Sequence, residues 1–401
     1  MPLALEGLRI IEACEGVGGP FAAMLLAEQG AGVIKVEPPR GDRLRGQPAF
    51  HVLNRSKRAV TLDLDTEQGR DRLRALLAGA DAFIYDWQPG VDAQRGFDAE
   101  ALRAINPRLV AGYLPAYGSR GRWRDLPPDE ALMQAVAGLC EAQYRYDPQP
   151  VFINIPVAGY AQAIVAAVAV ASSLYARARG AAADRFEVSG AGATFAFETV
   201  AYMRGSGTVW RSGQQDPRGP IPTYRLVRGS DGGWLFAGAL TPPFWASLAV
   251  AIGLEECLVD ERFAGAPMGI ASPDDRRELA RRVDAAFEAK TSAEWLRILE
   301  EADVPRAPVL TREEYARDPQ TLHNNMIVDV DDPELGPTKQ MNVPVWLQRS
   351  PGRIRNAAPR LGEHNALLDE LAAPPARAAP TRSRTSSCST SARSSRARTR
   401  R

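Results

Sequence analysis

Residues 8–36 read LRIIEACEGVGGPFAAMLLAEQGAGVIKV, and their order decides the fold. Leu8–Ala13 has the apolar run of a buried strand. Gly16, Gly18 and Gly19 follow, then Pro20 opens a helix that stops at Gly30. Proline at a helix start and glycine just past its end is the expected asymmetry. Residues 32–36, GVIKV, supply a second strand. A strand, a short helical crossover and a second strand specify a parallel sheet.

The alternation continues outward. TLDL at 61–64 precedes a helix over about Glu67–Ala78, and AFIYDW at 82–87 is a strand. Ala99–Ile105 reads as a helix and Leu109–Tyr113 as a strand. Leu132–Cys140 and the Ala-rich Ala158–Arg179 read as helices, with Phe186–Val188 as a further strand. Residues 1–203 therefore form one doubly wound, Rossmann-like α/β domain. Gly, Pro and polar residues dominate 204–223, which marks a linker over 204–224. A smaller α+β domain is expected over 225–325, with strands near Tyr224–Val227 and Trp234–Gly238. Its helices fall near Pro243–Ile252, Asp274–Ala289 and Ala293–Ala302, the last opened by Thr291 and Glu294 as a capping pair. Residues 326–372 read as an extended return that ends in a helix over Leu361–Ala372. Residues 373–401, rich in Ser, Arg, Pro and Ala, cannot bury a core and are expected to be disordered.

Composition narrows the function. The chain has 401 residues and a formal charge of +1. Eight arginines and no acid follow Glu370, so the first 370 residues carry a net charge of −7. A mildly acidic body is not built for indiscriminate nucleic-acid binding. Cys14, Cys140, Cys257 and Cys388 form no CxxC pair, and His51, His323 and His364 do not cluster. Neither a zinc site nor a disulfide framework is expected, and the setting that fits is reducing cytoplasm. MPLALEGLRI lacks the pattern of a signal peptide. The longest apolar stretch, Ala161–Ala171, is far short of the roughly 20 residues of a membrane span. EGVGGP resembles a phosphate turn, but its G-x-G-G-P spacing and Pro20 do not match a dinucleotide fingerprint.

The blocks LEGLRIIEACEGVGGPFAAMLLAEQGAGVIKVEPPRGDRLR (5–45) and FHVLNRSKRAVTLDLDTEQGRDRL (50–73) carry a resemblance to a known family. So do LRAINPRLVAGYLPAYGSRG (102–121), MQAVAGL (133–139), DERFA (260–264), AEWLRILEEADVPRAPV (293–309), MIVDVDDPELG (326–336) and RLGEH (360–364). In this order they resemble the class III CoA-transferases, also called CaiB/BaiF. That group includes formyl-CoA and carnitine CoA-transferases and α-methylacyl-CoA racemase. The resemblance implies an interlocked, ring-like dimer, either a homodimer or a heterodimer with a paralogue. It implies acyl-CoA and carboxylic acid as substrates, with no permanently bound cofactor and no metal.

It also implies where CoA lies. Val17 in the glycine turn, Arg40, Arg43 and Arg45 in PPRGDRLR, and Asn54, Lys57 and Arg58 in NRSKR match the family's CoA-binding loops, and Arg95 in QRGFD stands one residue displaced from a family arginine. Arg55 adds to the same basic run. Such cations either contact the CoA phosphates or form a solvated charged loop. The family mechanism uses an aspartate at a helix start to attack the thioester, splitting one hard step into several. In IPVAGYA, Gly159 stands at that position, and glycine cannot attack, accept a proton or form an ester. Asp129 stands where the racemase branch has a histidine. Glu130 matches a family carboxylate, which either acts as base or positioner, or only complements the helix dipole. The loop at 119–128 and the segment GAAADRFEVSG depart from the family pattern. Two functional classes stay open: an acyl-CoA transferase, or a non-catalytic acyl-CoA-binding subunit that pairs with an active paralogue.

Overall fold

The computed structural model describes residues 2–147, 149–198 and 216–373. The large unit runs β1 (Arg9–Ala13), α1 (Gly18–Glu28), β2 (Gly32–Glu37), α2 (Pro48–Leu53), β3 (Arg58–Thr61), α3 (Glu67–Ala78) and β4 (Ala82–Tyr85). It continues with α4 (Val91–Gln94), α5 (Ala99–Ile105), β5 (Val110–Tyr113), α6 (Glu130–Ala137), α7 (Leu139–Ala142), α8 (Val157–Ala178), β6 (Arg185–Glu187) and α9 (Gly190–Phe197). The six strands pair in parallel in the order β3-β2-β1-β4-β5-β6. The order reverses between β1 and β4, which opens a crevice at their carboxyl ends, the usual ligand position of such sheets.

Each face of the sheet buries its own core. Leu73, Leu76, Leu77, Phe83 and Phe97 fill one side, and Leu371 of α15 (Leu368–Ala372) joins them. Ala22, Ala23, Ala163, Ala166 and Val170 fill the other, where alanines let α1 and α8 approach closely. By length and apolarity α8 resembles a membrane span, 22 residues against the shorter apolar run read from the sequence. Its small residues are nonetheless packed into this core.

The smaller unit has an antiparallel sheet of β7 (Tyr224–Arg228), β8 (Trp234–Gly238) and β9 (Arg306–Pro308). Helices α10 (Pro242–Ile252), α11 (Pro273–Phe287) and α12 (Ser292–Glu301) cover it around Trp245, Leu248, Phe287 and Trp295. Two short helices, α13 (Arg312–Arg317) and α14 (Pro319–His323), lead back to the large unit. The expected linker lies partly outside the described residues, and the expected disordered tail beyond Ala373 lies outside them entirely.

Three expectations need correction. Leu132–Cys140 is not one helix: Gly138, with φ 86°, ends α6 and α7 restarts after it. The return is not simply extended, because β10 (Ile327–Asp332) and β11 (Gly336–Met341) form a hairpin. That hairpin docks through buried pairs, His51 Nδ1 with Asp332 at 2.8 Å and Arg55 with the Gln340 side chain at 3.1 Å. The final helix is shorter than read, because the chain before it pairs with the β3 edge. The His364 N–H donates to Ala59 O at 3.0 Å, and Asn365 Oδ1 accepts from the Thr61 N–H at 2.8 Å.

Candidate active site

Two N–H groups at the start of the glycine turn after β1 donate to carboxylates of the chain. The Glu15 N–H donates to Asp86 Oδ2 at 2.9 Å, and the Gly16 N–H donates to Asp42 Oδ1 at 3.3 Å. A phosphate cradle needs such donors free. Arg40 pairs with Glu15 at 2.6 Å, and Arg43 donates to Pro128 O at 2.8 Å. These two arginines and Val17 are the predicted CoA contacts that the fold brings to the crevice.

The other predicted contacts are placed differently. Lys57 is buried and donates to Glu12 Oε2 at 2.9 Å, Pro20 O at 2.9 Å and Asn54 Oδ1 at 2.8 Å. Lys35 bridges Glu12 at 3.1 Å and Asp42 at 2.9 Å. Burial opposes the charge on Glu12, yet Lys35 and Lys57 hold its carboxyl below the ordinary range. Burial also pulls the Lys57 ammonium down to about 8 against the pull of Glu12. Arg45 forks onto Glu37 at 2.6 and 2.7 Å, and Arg55 is buried on Glu28 at 2.6 Å. Arg95 lies over the Trp87 ring and pairs with Asp65 at 2.9 Å. Arg45, Asn54, Lys57 and Arg95 are thus engaged by the fold itself. Arg58 begins β3, at the opposite edge of the sheet from the crevice. An unpaired buried cation costs several kcal/mol, so a dense basic sequence run is drawn into ion pairs wherever it crosses a core.

The amino end of α8 closes the crevice. Gln162 ties it to the end of β5 through Leu114 O and Pro115 O, both at 3.1 Å. Glu130 Oε1 accepts from the Ala158 N–H at 2.8 Å and from Gln134 Nε2 at 2.9 Å. Glu130 Oε2 accepts from the Gly159 N–H at 2.9 Å. The Val157 and Tyr160 N–H groups donate to Ile155 O and Pro156 O. Every N–H of the first turn of α8 therefore has an acceptor within the chain. Three donors share the Glu130 charge, which suits a capping carboxylate and weakens a nucleophile. Asp129 caps α6 by accepting from the Ala131 and Leu132 N–H groups.

Gly159 does not need a left-handed backbone. A Cβ there would stand 2.8 Å from Val17 Cβ and 2.9 Å from Val17 Cγ1, with Glu130 Oε2 at 3.5 Å. The glycine therefore serves close approach of the turn to the helix, and the place of an aspartate side chain is filled by Val17.

Two residues at the crevice escaped sequence reasoning. Burial raises the Asp86 carboxyl to about 7, with the Glu15 N–H, Lys35 and Arg43 opposing. Its position directly after the β4 run AFIY was a readable signal in a doubly wound fold. Tyr160 packs edge-on against Phe21, with ring centroids 5.4 Å apart. Burial, then Glu130, raises its hydroxyl above the ordinary range, and Arg312 from α13 opposes them. Nothing local to residue 312 announces that approach. Among the described residues no His, Cys, Asp or Glu cluster could hold a metal ion.

A parallel sheet reversing at β1 and β4, with a helix start facing its glycine turn, defines a doubly wound α/β protein. The family model for CoA-transferase family III matches residues 5–365, and the chain belongs to that family. Succinyl-CoA–D-citramalate CoA-transferase of Chloroflexus aurantiacus is 30% identical over 378 residues, covering 91% of this chain and 92% of that protein. An acyl-CoA transferase of Fusarium pseudograminearum is 29% identical, covering 92% and 85%. A crystal structure of a CaiB/BaiF family protein from Brucella suis superposes with a TM-score of 0.81 at 25% identity, covering 92% of this chain and all of that one.

Proposed function

We propose that the protein handles an acyl-CoA thioester and a carboxylic acid in CoA transfer, with no covalent bond to residue 159. The observation that carries this reading is the filled aspartate position, with Val17 against Gly159 and Glu130 holding the two N–H groups beside it. The acceptor carboxylate itself attacks the thioester carbonyl, expelling CoA thiolate and forming a mixed anhydride. The thiolate then attacks the acceptor's carbonyl carbon, forming the new thioester and releasing the donor acid as its carboxylate. Arg40 and Arg43, the predicted contacts left at the crevice, meet the CoA phosphates. Glu130 is a positioning residue that fixes α8 against α6. The protein works in the cytoplasm as an interlocked dimer.

A second reading is a non-catalytic acyl-CoA-binding subunit paired with a paralogue that supplies the aspartate. Tyr160, Ile164, Val168 and Tyr175 leave an exposed apolar stripe along α8, which favours cover by another chain. Mass spectrometry of the purified protein, incubated with several acyl-CoAs and carboxylic acids, separates the readings. Exchanged CoA esters with an unmodified protein are expected. An acylated side chain would overturn the non-covalent route. CoA binding without exchange would establish the subunit reading.

A further inference from the structure

We propose that a cleft at the amino-terminal edge of the parallel sheet, formed by Arg9, Arg58 and Arg355, binds a phosphate-type oxyanion. The cleft has a volume of about 380 Å³ and lies at the starts of β1, β2 and β3, on the far side of the sheet from the candidate active site.

Two of the three guanidinium groups, those of Arg9 and Arg355, are fixed without being neutralised. Arg9 Nη1 donates to Leu371 O at 2.8 Å and Ala373 O at 2.5 Å. Arg355 Nη2 donates to Ala27 O, Ala31 O and Ser56 O at 3.1, 2.6 and 3.1 Å. Arg58 stands exposed at the rim. Among the described residues none of the three forms an ion pair with a carboxylate, whereas Arg40, Arg45, Arg55 and Arg95 each do. One acid, Glu6, lines the cleft, and Asp81 lies close enough to support the Arg9 charge. Glu6 Oε2 accepts from the Leu3 N–H at 2.8 Å. Asp81 pairs with Arg177 at 2.6 Å and accepts from the Arg9 N–H at 3.0 Å. The sequence beyond Ala373 brings eight arginines and no acidic side chain.

Repulsion follows from this arrangement. Burial, then Arg58, lowers the Arg9 guanidinium from its ordinary value, with Asp81 opposing. Burial, then Arg353 and Arg58, lowers that of Arg355. Like charges held together by carbonyl oxygens are destabilising until an anion arrives, and planar guanidinium forks match the oxygens of a phosphate. Inorganic phosphate, pyrophosphate and the phosphates of a nucleotide share that chemistry. The site stands apart from the acyl-CoA reading, because it uses none of the residues at the crevice.

Isothermal titration of the full-length protein with pyrophosphate, orthophosphate and adenosine 3′,5′-bisphosphate, at constant ionic strength, tests it. Saturable pyrophosphate binding is expected in the wild type, with Kd raised at least tenfold by Arg58→Ala and unchanged by Arg277→Ala, while the Arg40-dependent share of bisphosphate binding reports the crevice. Pyrophosphate bound as tightly as the bisphosphate identifies a free-phosphate site, and preference for the bisphosphate identifies a nucleotide site. In low-salt buffer without phosphate, Arg58→Ala should melt no lower than the wild type, since it removes repulsion. Absence of saturable pyrophosphate binding, or equal pyrophosphate affinity in Arg58→Ala, would overturn the proposal.

Discussion

The two edges of the parallel sheet treat the same residue type in opposite ways. At the carboxyl edge, Arg40, Arg45, Lys35 and Lys57 each meet a carboxylate of the chain. At the amino edge, Arg9, Arg58 and Arg355 meet only backbone carbonyls or solvent. Counting basic residues along the sequence therefore points to the wrong edge for surplus charge. Burial is the reason for Lys35, Lys57 and Arg45, since a cation inside must be paired, whereas Arg40 is exposed and pairs at the surface.

The sharpest way to break the comparison is to unpair the interior. Lys35→Met leaves Glu12 with Lys57 alone and Asp42 with none of its lysine partner. It should cost about 3–5 kcal/mol in chemical denaturation, the usual cost of breaking a buried pair. A cost below about 1 kcal/mol would mean that the carboxyl-edge network is no more essential than the rim.

Asp86 gives the next effect. Its folded carboxyl, near 7, lies above an unfolded value near 4. The native state thus binds the extra proton between these values, and this stabilisation is full at low pH and lost as pH rises through about 7. Asp86→Asn keeps an acceptor for the Glu15 N–H and removes the titration. Relative to the wild type, the variant should gain on the order of 2–4 kcal/mol between pH 4 and pH 8, read from denaturation midpoints across that range. Parallel pH profiles would show that Asp86 ionises as an ordinary surface carboxylate.

Gly159→Asp probes the filled aspartate position. The new Cβ meets Val17, so the single variant should lose about 1–3 kcal/mol through overpacking. Val17→Ala combined with it removes the Cγ1 contact at 2.9 Å but keeps the Cβ contact at 2.8 Å, so it should recover only part of that loss in thermal melts. Hydroxylamine trapping of an acylated Asp in the double variant, but not in the wild type, would show that the crevice lacks only its nucleophile. Additive losses would show that Val17 is not what excludes the side chain.

Glu130→Ala is the mildest change. It strips acceptors from the Ala158 and Gly159 N–H groups and should cost about 1–2 kcal/mol, as loss of a helix cap does. Glu130→Gln keeps an acceptor and should recover at least half. If Glu130→Ala keeps stability but abolishes CoA exchange, the carboxylate acts on substrate rather than on α8.

Much of the fold was legible along the chain. The β1–α1–β2 unit, the helices at Glu67 and Ala99, and the strands at Ala82 and Trp234 follow local rules: apolar runs for strands, Pro and Gly for helix ends. The hairpin Ile327–Met341 was not legible, because its strands are polar and depend on docking through Asp332 and Gln340 onto His51 of α2 and Arg55 just past it. The sequence by itself determined the parallel α/β sheet, the family blocks and the glycine at position 159, since each is a matter of order and identity. Only the tertiary structure decided that Val17 fills the place beside that glycine, that Glu130 occupies the helix donors, and that Arg58 faces away from the crevice. Those facts depend on which groups meet across the sheet, and pairing of buried charge is settled by distance in space, not by distance along the chain.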